Sequence, residues 1–408
     1  MTGLNTCQRP RDAAFWPCVM PLLLLLAFTG CGVRGTAGDV AWKPVVCDSA
    51  KPYRGPALHR PPEREVFVQA AKPFGDAFDS ATVSRLERAM EKAMLATKAP
   101  AMTVAVGVPG RGVWSATRGA DGEAPRWFWF ASVGKAFTAA VVLQLVEEGK
   151  LSLDDKLARW FPDYPNAKAV TIDHLLSHTS GIYSFQNDPA LQARRGYRAP
   201  EELIEIARTH GNGFCPGEYW AYSNTGYVML GRIVERIEGR AFHEVLTTRV
   251  IQRLGLHHTK ALAPREKASG TAQPHPSEPS EEAAENAIST TPYAAGNVVA
   301  TAADMIEFWQ ALLGGKLLKP ETVRGQFERL HPMIDKGTFY GRGVMLYDVP
   351  IDETRRLNWL GHGGGAPGSK ALVVYSADAR AFVAVALNND GSAEATVGLL
   401  LKALDKEP

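Results

Sequence analysis

The sequence predicts an α+β fold: an antiparallel sheet built from N- and C-terminal strands, with a mostly helical central lobe between them in the chain. Three observations lead there. β-rich apolar runs separated by turn residues lie near residue 100 and again toward the C-terminal end. The stretch between them carries helical periodicity with caps and stops. The composition is globular, 45% hydrophobic and 22% charged over 408 residues, which is enough apolar material for a large core. A net charge of +2, without a basic block or aromatic–basic interleaving, argues against a nucleic-acid partner.

In chain order, residues 1–30 stand apart. Arg9 and Arg11 precede the apolar run "VMPLLLLLAFTG", the pattern of a secretory signal peptide. The run is short for a spanning helix and is interrupted by Pro17 and Pro21. Gly30-Cys31 in "FTGCG" resembles a bacterial lipoprotein box, which implies lipid on Cys31 and a membrane-anchored protein of the cell envelope. Residues 31–75 contain Pro44, Pro52, Pro56, Pro61 and Pro62 and read as an extended tether with little to bury. The catalytic domain is expected over 76–408. Its first helix, in "SRLERAMEKAML", aligns Leu86, Met90 and Met94 on one face. "AMTVAVGV" and "GVWSATRG" follow as a strand pair around Pro109, Gly110 and Gly112.

"VGKAFTAAVVLQLVEE" is apolar nearly all round and stops at Gly149, so it reads as a buried central helix. "TIDHLLSHTSG" offers Thr171 as a cap and Gly181 as a stop. "SNTGYVMLGRIVERIEG" ends at Gly239, and "TAADMIEFWQALLGG" opens with Thr301 and Asp304 at capping-box spacing. "REKASGTAQPHPSEPSEEAAENA" reads as an exposed loop. "FYGRGVMLYD", "RRLNWLGH", "KALVVYS" and "AFVAVAL" return to strand, with "ADAR" as a hairpin turn. Cys47 and Cys215 are left after processing; an oxidising compartment permits a bridge, and two separate thiols are the alternative.

Three short motifs bring chemistry. Ser132 and Lys135, three apart at a helix start, face the same way. Unpaired N–H groups there favour a developing oxyanion, and the amine either takes the seryl proton or lowers another group's pKa. On spacing alone, a capping serine and a snorkelling lysine fit equally well. In "YSN", the Tyr222 phenol can carry a proton beside a cation, and the Asn224 amide can bind a carbonyl. "YPN" at Tyr164–Asn166 has the same outer residues but contains Pro165 in a polar connection and reads as a turn. In "GHGGGAPG", Gly363, Gly364 and Gly365 let backbone approach a ligand, and His362 would point along a strand edge into a cleft between the lobes. A glycine-rich bend with a structural histidine is the plainer reading.

Taken in this order, with "HLLSHTSGI", "PGEYWAYSNTGY" and "YAAGNVVATAADM", the motifs resemble the serine β-lactamase-related family over roughly residues 80–405. That family includes class C β-lactamases, serine D,D-carboxypeptidases, D-aminopeptidases and esterases. The resemblance implies the β-lactamase/transpeptidase-like fold. It makes Ser132 the acyl-forming nucleophile, and Lys135 and Tyr222 the proton-handling pair. Asn224 would hold a substrate amide or Lys135. The backbone N–H groups of Ser132 and Gly365 would form the oxyanion hole. His362 stands where class C enzymes have Lys and some carboxypeptidases and esterases have His. Gly363 departs from the usual Thr.

The expected function is therefore an exported serine hydrolase acting on an ester, amide or D-amino-acid peptide, with a small-molecule or peptide acyl substrate and no cofactor. A low-turnover penicillin-binding or peptidoglycan-sensing protein, or a true class C β-lactamase, is the alternative. No metal is expected: the His174/His178 pair lacks H-E-x-x-H, His257 and His258 lie in a connection, and no cysteine spacing suits zinc. The G-x-S-x-G elbow is absent as well.

Overall fold

A computed structural model describes residues 42–119, 124–192, 196–277, 292–333, 337–350 and 356–404. The signal segment and Cys31 lie outside these residues.

Strand β1 (Ala101–Val108) is buried along its whole length. It pairs antiparallel with β2 (Gly112–Gly119) on one side and β11 (Ala381–Leu387) on the other, so the two ends of the domain share one sheet, as the pattern predicts. The remaining strands are β6 (His331–Pro332), β7 (Thr338–Tyr340), β8 (Met345–Pro350), β9 (Arg356–Ala366) and β10 (Ser369–Ser376). They complete an eight-stranded sheet in the order β2-β1-β11-β10-β9-β8-β7-β6. A second small sheet joins β3 (Phe128–Trp129), β5 (Val298–Ala300) and β4 (Thr259–Ala261).

Alternation along the strands splits the core in two. Met102, Val104, Val106, Val383 and Val385 face α2 (Ser80–Thr97) and α11 (Ala393–Leu404), where Leu86, Met90 and Leu400 meet them. On the other face Ala105, Ala384 and Ala386 are small, and α9 (Ala302–Leu313) lies over them with Phe308 and Trp309. The Trp309 indole N–H donates to Leu360 O at 2.9 Å, so this large side chain is buried without an unmet donor.

The helical lobe contains α3 (Gly134–Glu147), α4 (Ile172–Leu176), α5 (Pro189–Gln192), α6 (Pro200–His210), α7 (Asn224–Glu238) and α8 (Phe242–Leu246). As its all-round apolar sequence predicts, α3 is buried from Gly134 to Leu145. Phe137 of α3 stacks on Phe308 of α9 with ring centroids 3.6 Å apart, and this contact ties lobe to sheet. Truncating such a buried ring typically costs ~3–5 kcal/mol. Thr171 caps α4, Thr301 caps α9, and Gly239 ends α7 with φ 67°.

Two expectations need correction. The described part of the expected tether packs on the domain. Cys47 is bonded to Cys215. Asn166, from the "YPN" turn, holds this strap by accepting from Cys47 N at 2.7 Å and donating to Val45 O at 2.8 Å. Helix α1 (Arg64–Ala70) buries Phe67 against Phe327, the residue that follows α10 (Pro320–Gln326). Proline richness signals extended chain, and extended chain can still be stapled to a surface. The second correction concerns residues 265–277, expected as exposed loop. Thr271 and Ala272 are buried, and His275 N donates to Asn388 O at 2.9 Å, so this stretch lies along the end of the sheet beside the β9–β10 turn.

Candidate active site

Trp129 leads through Phe130 and Ala131 into a short 3₁₀ turn (Ala131–Val133) and then α3. Ala131 has φ 46°, a left-handed conformation that costs an alanine energy and marks a constrained turn. The turn presents Ser132 at the N-terminus of α3 and buries Lys135 completely one turn later. Ser132 Oγ lies 2.9 Å from Lys135 Nζ and 2.9 Å from Tyr222 Oη. Lys135 Nζ also donates to Ala295 O at 2.8 Å, and it sits 4.9 Å from the Tyr222 ring centroid and 5.6 Å from that of Tyr227. The buried Lys135 amine is thus held by carbonyl, hydroxyl and aromatic faces.

Tyr222 and Asn224 come from the loop that opens α7. Ala221 N donates to His178 O at 3.0 Å, and Ser223 N donates to His178 Nδ1 at 3.2 Å, which fixes the loop on either side of Tyr222. Asn224 N donates to Ser184 Oγ at 3.1 Å, while Asn224 Oδ1 is buried with no hydrogen-bond partner among the described residues. Such an acceptor is costly to leave unmet, and sites that bind ligands are where it is tolerated.

The third side of the site is β9. The glycine-rich run is strand, with Gly365, Gly364 and Gly363 opposite Lys370, Ala371 and Leu372 of β10. A Cβ at Gly364 would lie 2.2 Å from Phe130 O and 3.1 Å from Ser132 N, so only glycine fits there. This close approach brings the β9 backbone to the nucleophile turn. A Cβ at Gly363 would lie 2.9 Å from Tyr347 Oη, so a tyrosine hydroxyl already occupies the space of a side chain at 363. A Cβ at Gly365 would lie 3.5 Å from Lys370 Nζ, and Lys370 Nζ pairs with Asp390 Oδ1 at 3.6 Å.

His362 does not point into the cleft, contrary to the sequence reading. Strand alternation turns it to the interior, where it is fully buried with Nε2 3.1 Å from Tyr340 Oη. Burial, reinforced by the charge of Lys135, pushes its pKa down to about 3, so the ring is neutral. His178, set aside by its sequence context as a metal ligand, belongs to the same buried cluster. Its ring centroid lies 4.2 Å from that of Tyr222 and 4.5 Å from that of Tyr340. Burial and then Lys135 hold its pKa well below the usual histidine range. Tyr340 and Tyr227 have their pKa values raised, chiefly by burial. The sequence reading missed these two tyrosines and the Ala295 carbonyl. The only hint was their position inside the quoted "YSNTGY", "FYGRG" and "YAAG" segments. Among the described residues, no group of three or more His, Cys, Asp or Glu side chains is placed to hold a metal ion.

The sequence model of the Beta-lactamase family matches residues 86–405. The chain is 30% identical over 292 residues to penicillin-binding protein 4 of Amycolatopsis lactamdurans, covering 65% of this chain and 73% of that protein. It is 27% identical to penicillin-binding protein 4* of Bacillus subtilis, covering 68% of this chain but 64% of that protein, slightly under two thirds of its length. The crystal structure of a D-stereospecific amidohydrolase from Streptomyces sp. superposes with a TM-score of 0.67 at 28% identity, covering 77% of this chain and 97% of that one. With the match spanning both strand ends and the whole helical lobe, the chain belongs to the Beta-lactamase family and is a serine hydrolase of the β-lactamase/transpeptidase-like fold.

Proposed function

We propose that the protein hydrolyses an ester, or an amide of a D-amino acid, through an acyl-enzyme on Ser132. The observation that carries this is Ser132 Oγ held 2.9 Å from both Lys135 Nζ and Tyr222 Oη. Oγ attacks the acyl carbon while its proton passes to whichever of the two partners is deprotonated. The carbonyl oxygen becomes an oxyanion that accepts from the N–H groups of Ser132 and Gly365. The bond to the leaving group breaks as that group takes a proton relayed through Tyr222. Water then attacks the seryl ester by the same route in reverse and restores Ser132. Asn224 Oδ1, buried and unmet, suits an amide N–H of the acyl donor.

The substrate class follows from charge. Relatives that recognise a substrate carboxylate use a cation and a hydroxyl in the third motif. Here His362 is neutral, Gly363 carries no hydroxyl, and Lys370 is shared with Asp390. One missing charge-assisted hydrogen bond is typically worth ~1.5–3 kcal/mol, or roughly ten- to a hundred-fold in transition-state binding. The likeness to an amidohydrolase supports the same preference. The test is kcat/KM for a short-chain aryl ester, a D-amino-acid amide, a chromogenic cephalosporin and a D-Ala-D-Ala peptide. The ester or amide should lead. Ser132→Ala should lose at least about a thousand-fold, and Tyr222→Phe about 10²–10⁴-fold, with the triple change at 132, 135 and 222 no worse than Ser132→Ala. Efficient cephalosporin hydrolysis with poor ester and amide turnover would assign the protein to the β-lactamases. Stable acylation without turnover would favour a penicillin-binding role.

Export and lipid attachment at Cys31 belong to the same proposal. The Cys47–Cys215 disulfide supports an oxidising compartment. Among the described residues no helix is long and apolar enough to cross a membrane. Expressed in a bacterium, the protein should fractionate with membranes and resist thiol alkylation until reduced. Cys31→Ser should abolish the first property; if a correctly cleaved Cys31→Ser protein stays in the membrane fraction, the lipid is not the anchor.

The buried histidines set a pH dependence. The pKa of His362 falls to about 3 in the folded state, and those of His174 and His331 to about 4, all three mainly through burial. The unfolded chain therefore binds protons that the fold refuses, and stability is lost as pH falls below ~6.5 toward those values. Urea unfolding should show this loss between pH 7.5 and 5.5. His362→Gln should flatten the slope by up to about 1.4 kcal/mol per pH unit at the acid end. Stability that stays level over this range would contradict neutral burial.

A further inference from the structure

A cavity of about 130 Å³ lies away from Ser132, between the N-terminal strap, α4 and the segment after α10. Lys51, Arg329 and Arg342 supply three cations to its lining, and Asp173 is the one carboxylate. Asp173 is already paired with Arg342, whose guanidinium also donates to Gly325 O at 2.6 Å. Glu328 approaches Arg342 at 3.7 Å from outside the lining and is largely solvent-exposed. Lys51 and Arg329 have no side-chain partner among the described residues.

The neutral groups of the lining are donors or lack partners. His174 Nδ1 accepts from Thr171 N at 3.1 Å, which leaves the proton on Nε2, beside Gly217 in the cavity wall. His331 is 2% exposed, and its Nδ1 has no hydrogen-bond partner. Burial first, and then the neighbouring Arg329, disfavour protonation of His331, with Asp173 acting the other way. The volume holds about four waters, which is room for one tetrahedral oxyanion or a carboxylate.

We propose that this cavity binds a small oxyanion, of phosphate or carboxylate type, between Lys51, Arg329 and His174. It is separate from the catalytic centre and joined to it by one segment. Ser177 and Thr179 line the cavity, while His178 between them turns the other way and holds the loop of Tyr222. Lys51 N also donates to Pro216 O at 2.8 Å, so a bound anion would brace strap and loop together.

The test is thermal unfolding of the full chain in sodium phosphate, sodium acetate and sodium chloride at equal ionic strength, for wild type and Lys51→Met/Arg329→Met. Both residues are exposed and outside the catalytic machinery, so basal turnover in chloride should be unchanged and the double variant should fold. Phosphate at high millimolar concentration should raise the wild-type Tm by about 2–4 °C over chloride, and the variant should lose most of that rise. A rise with acetate alone would identify a carboxylate as the occupant. Equal rises in wild type and variant, or none in either, would overturn the site. Neither outcome bears on Ser132, whose role the kinetic comparison tests by itself.

Discussion

The site depends on how closely β9 approaches the start of α3. At Gly364 the strand backbone lies so near Phe130 O and Ser132 N that no side chain fits between them. This contact sets the distance between the sheet and the helical lobe at the point where the nucleophile sits. It also brings strand N–H groups beside a helix N-terminus, where unpaired N–H groups and positive potential already favour an oxyanion. The strained Ala131 and the Phe137–Phe308 stack are further parts of that fit: one aims Ser132, the other holds α3 against the helix that covers the sheet.

Behind the nucleophile the structure solves a charge problem. Lys135 is fully buried, and a buried ammonium is costly unless it is well solvated by the protein. Its amine lies against the Ser132 hydroxyl and the Ala295 carbonyl, with the faces of Tyr222 and Tyr227 nearby. The same charge helps to keep His178 and His362 unprotonated. A second cation there would repel the first. Histidine at 362 is thus compatible with a buried Lys135.

Much of this was legible in the sequence because the relevant signals are local. The all-round apolar α3, its Ser132–Lys135 start, the Tyr222–Asn224 motif and the strand pair at 101–119 each follow from residues a few positions apart. What was not legible depends on contacts between distant segments. The direction of His362 required the phase of β9, which a run of glycines does not reveal. The place of His178 required knowing that the loop of Tyr222 returns onto it. Tyr347 could replace a side chain at 363 only because β8 lies next to β9. The strap before residue 75 misled for a related reason: its anchors, Asn166 and Cys215, lie far away in sequence.

The proposed reaction requires Ser132 Oγ, activated by Lys135 and Tyr222, to become covalently acylated. The most direct measurement is intact-protein mass spectrometry after mixing with a slowly deacylating donor, followed by peptide mapping. The expected result is a mass gain equal to the acyl group, confined to the peptide containing Ser132 and absent in Ser132→Ala. An adduct on another residue, or one that persists in Ser132→Ala, would contradict it.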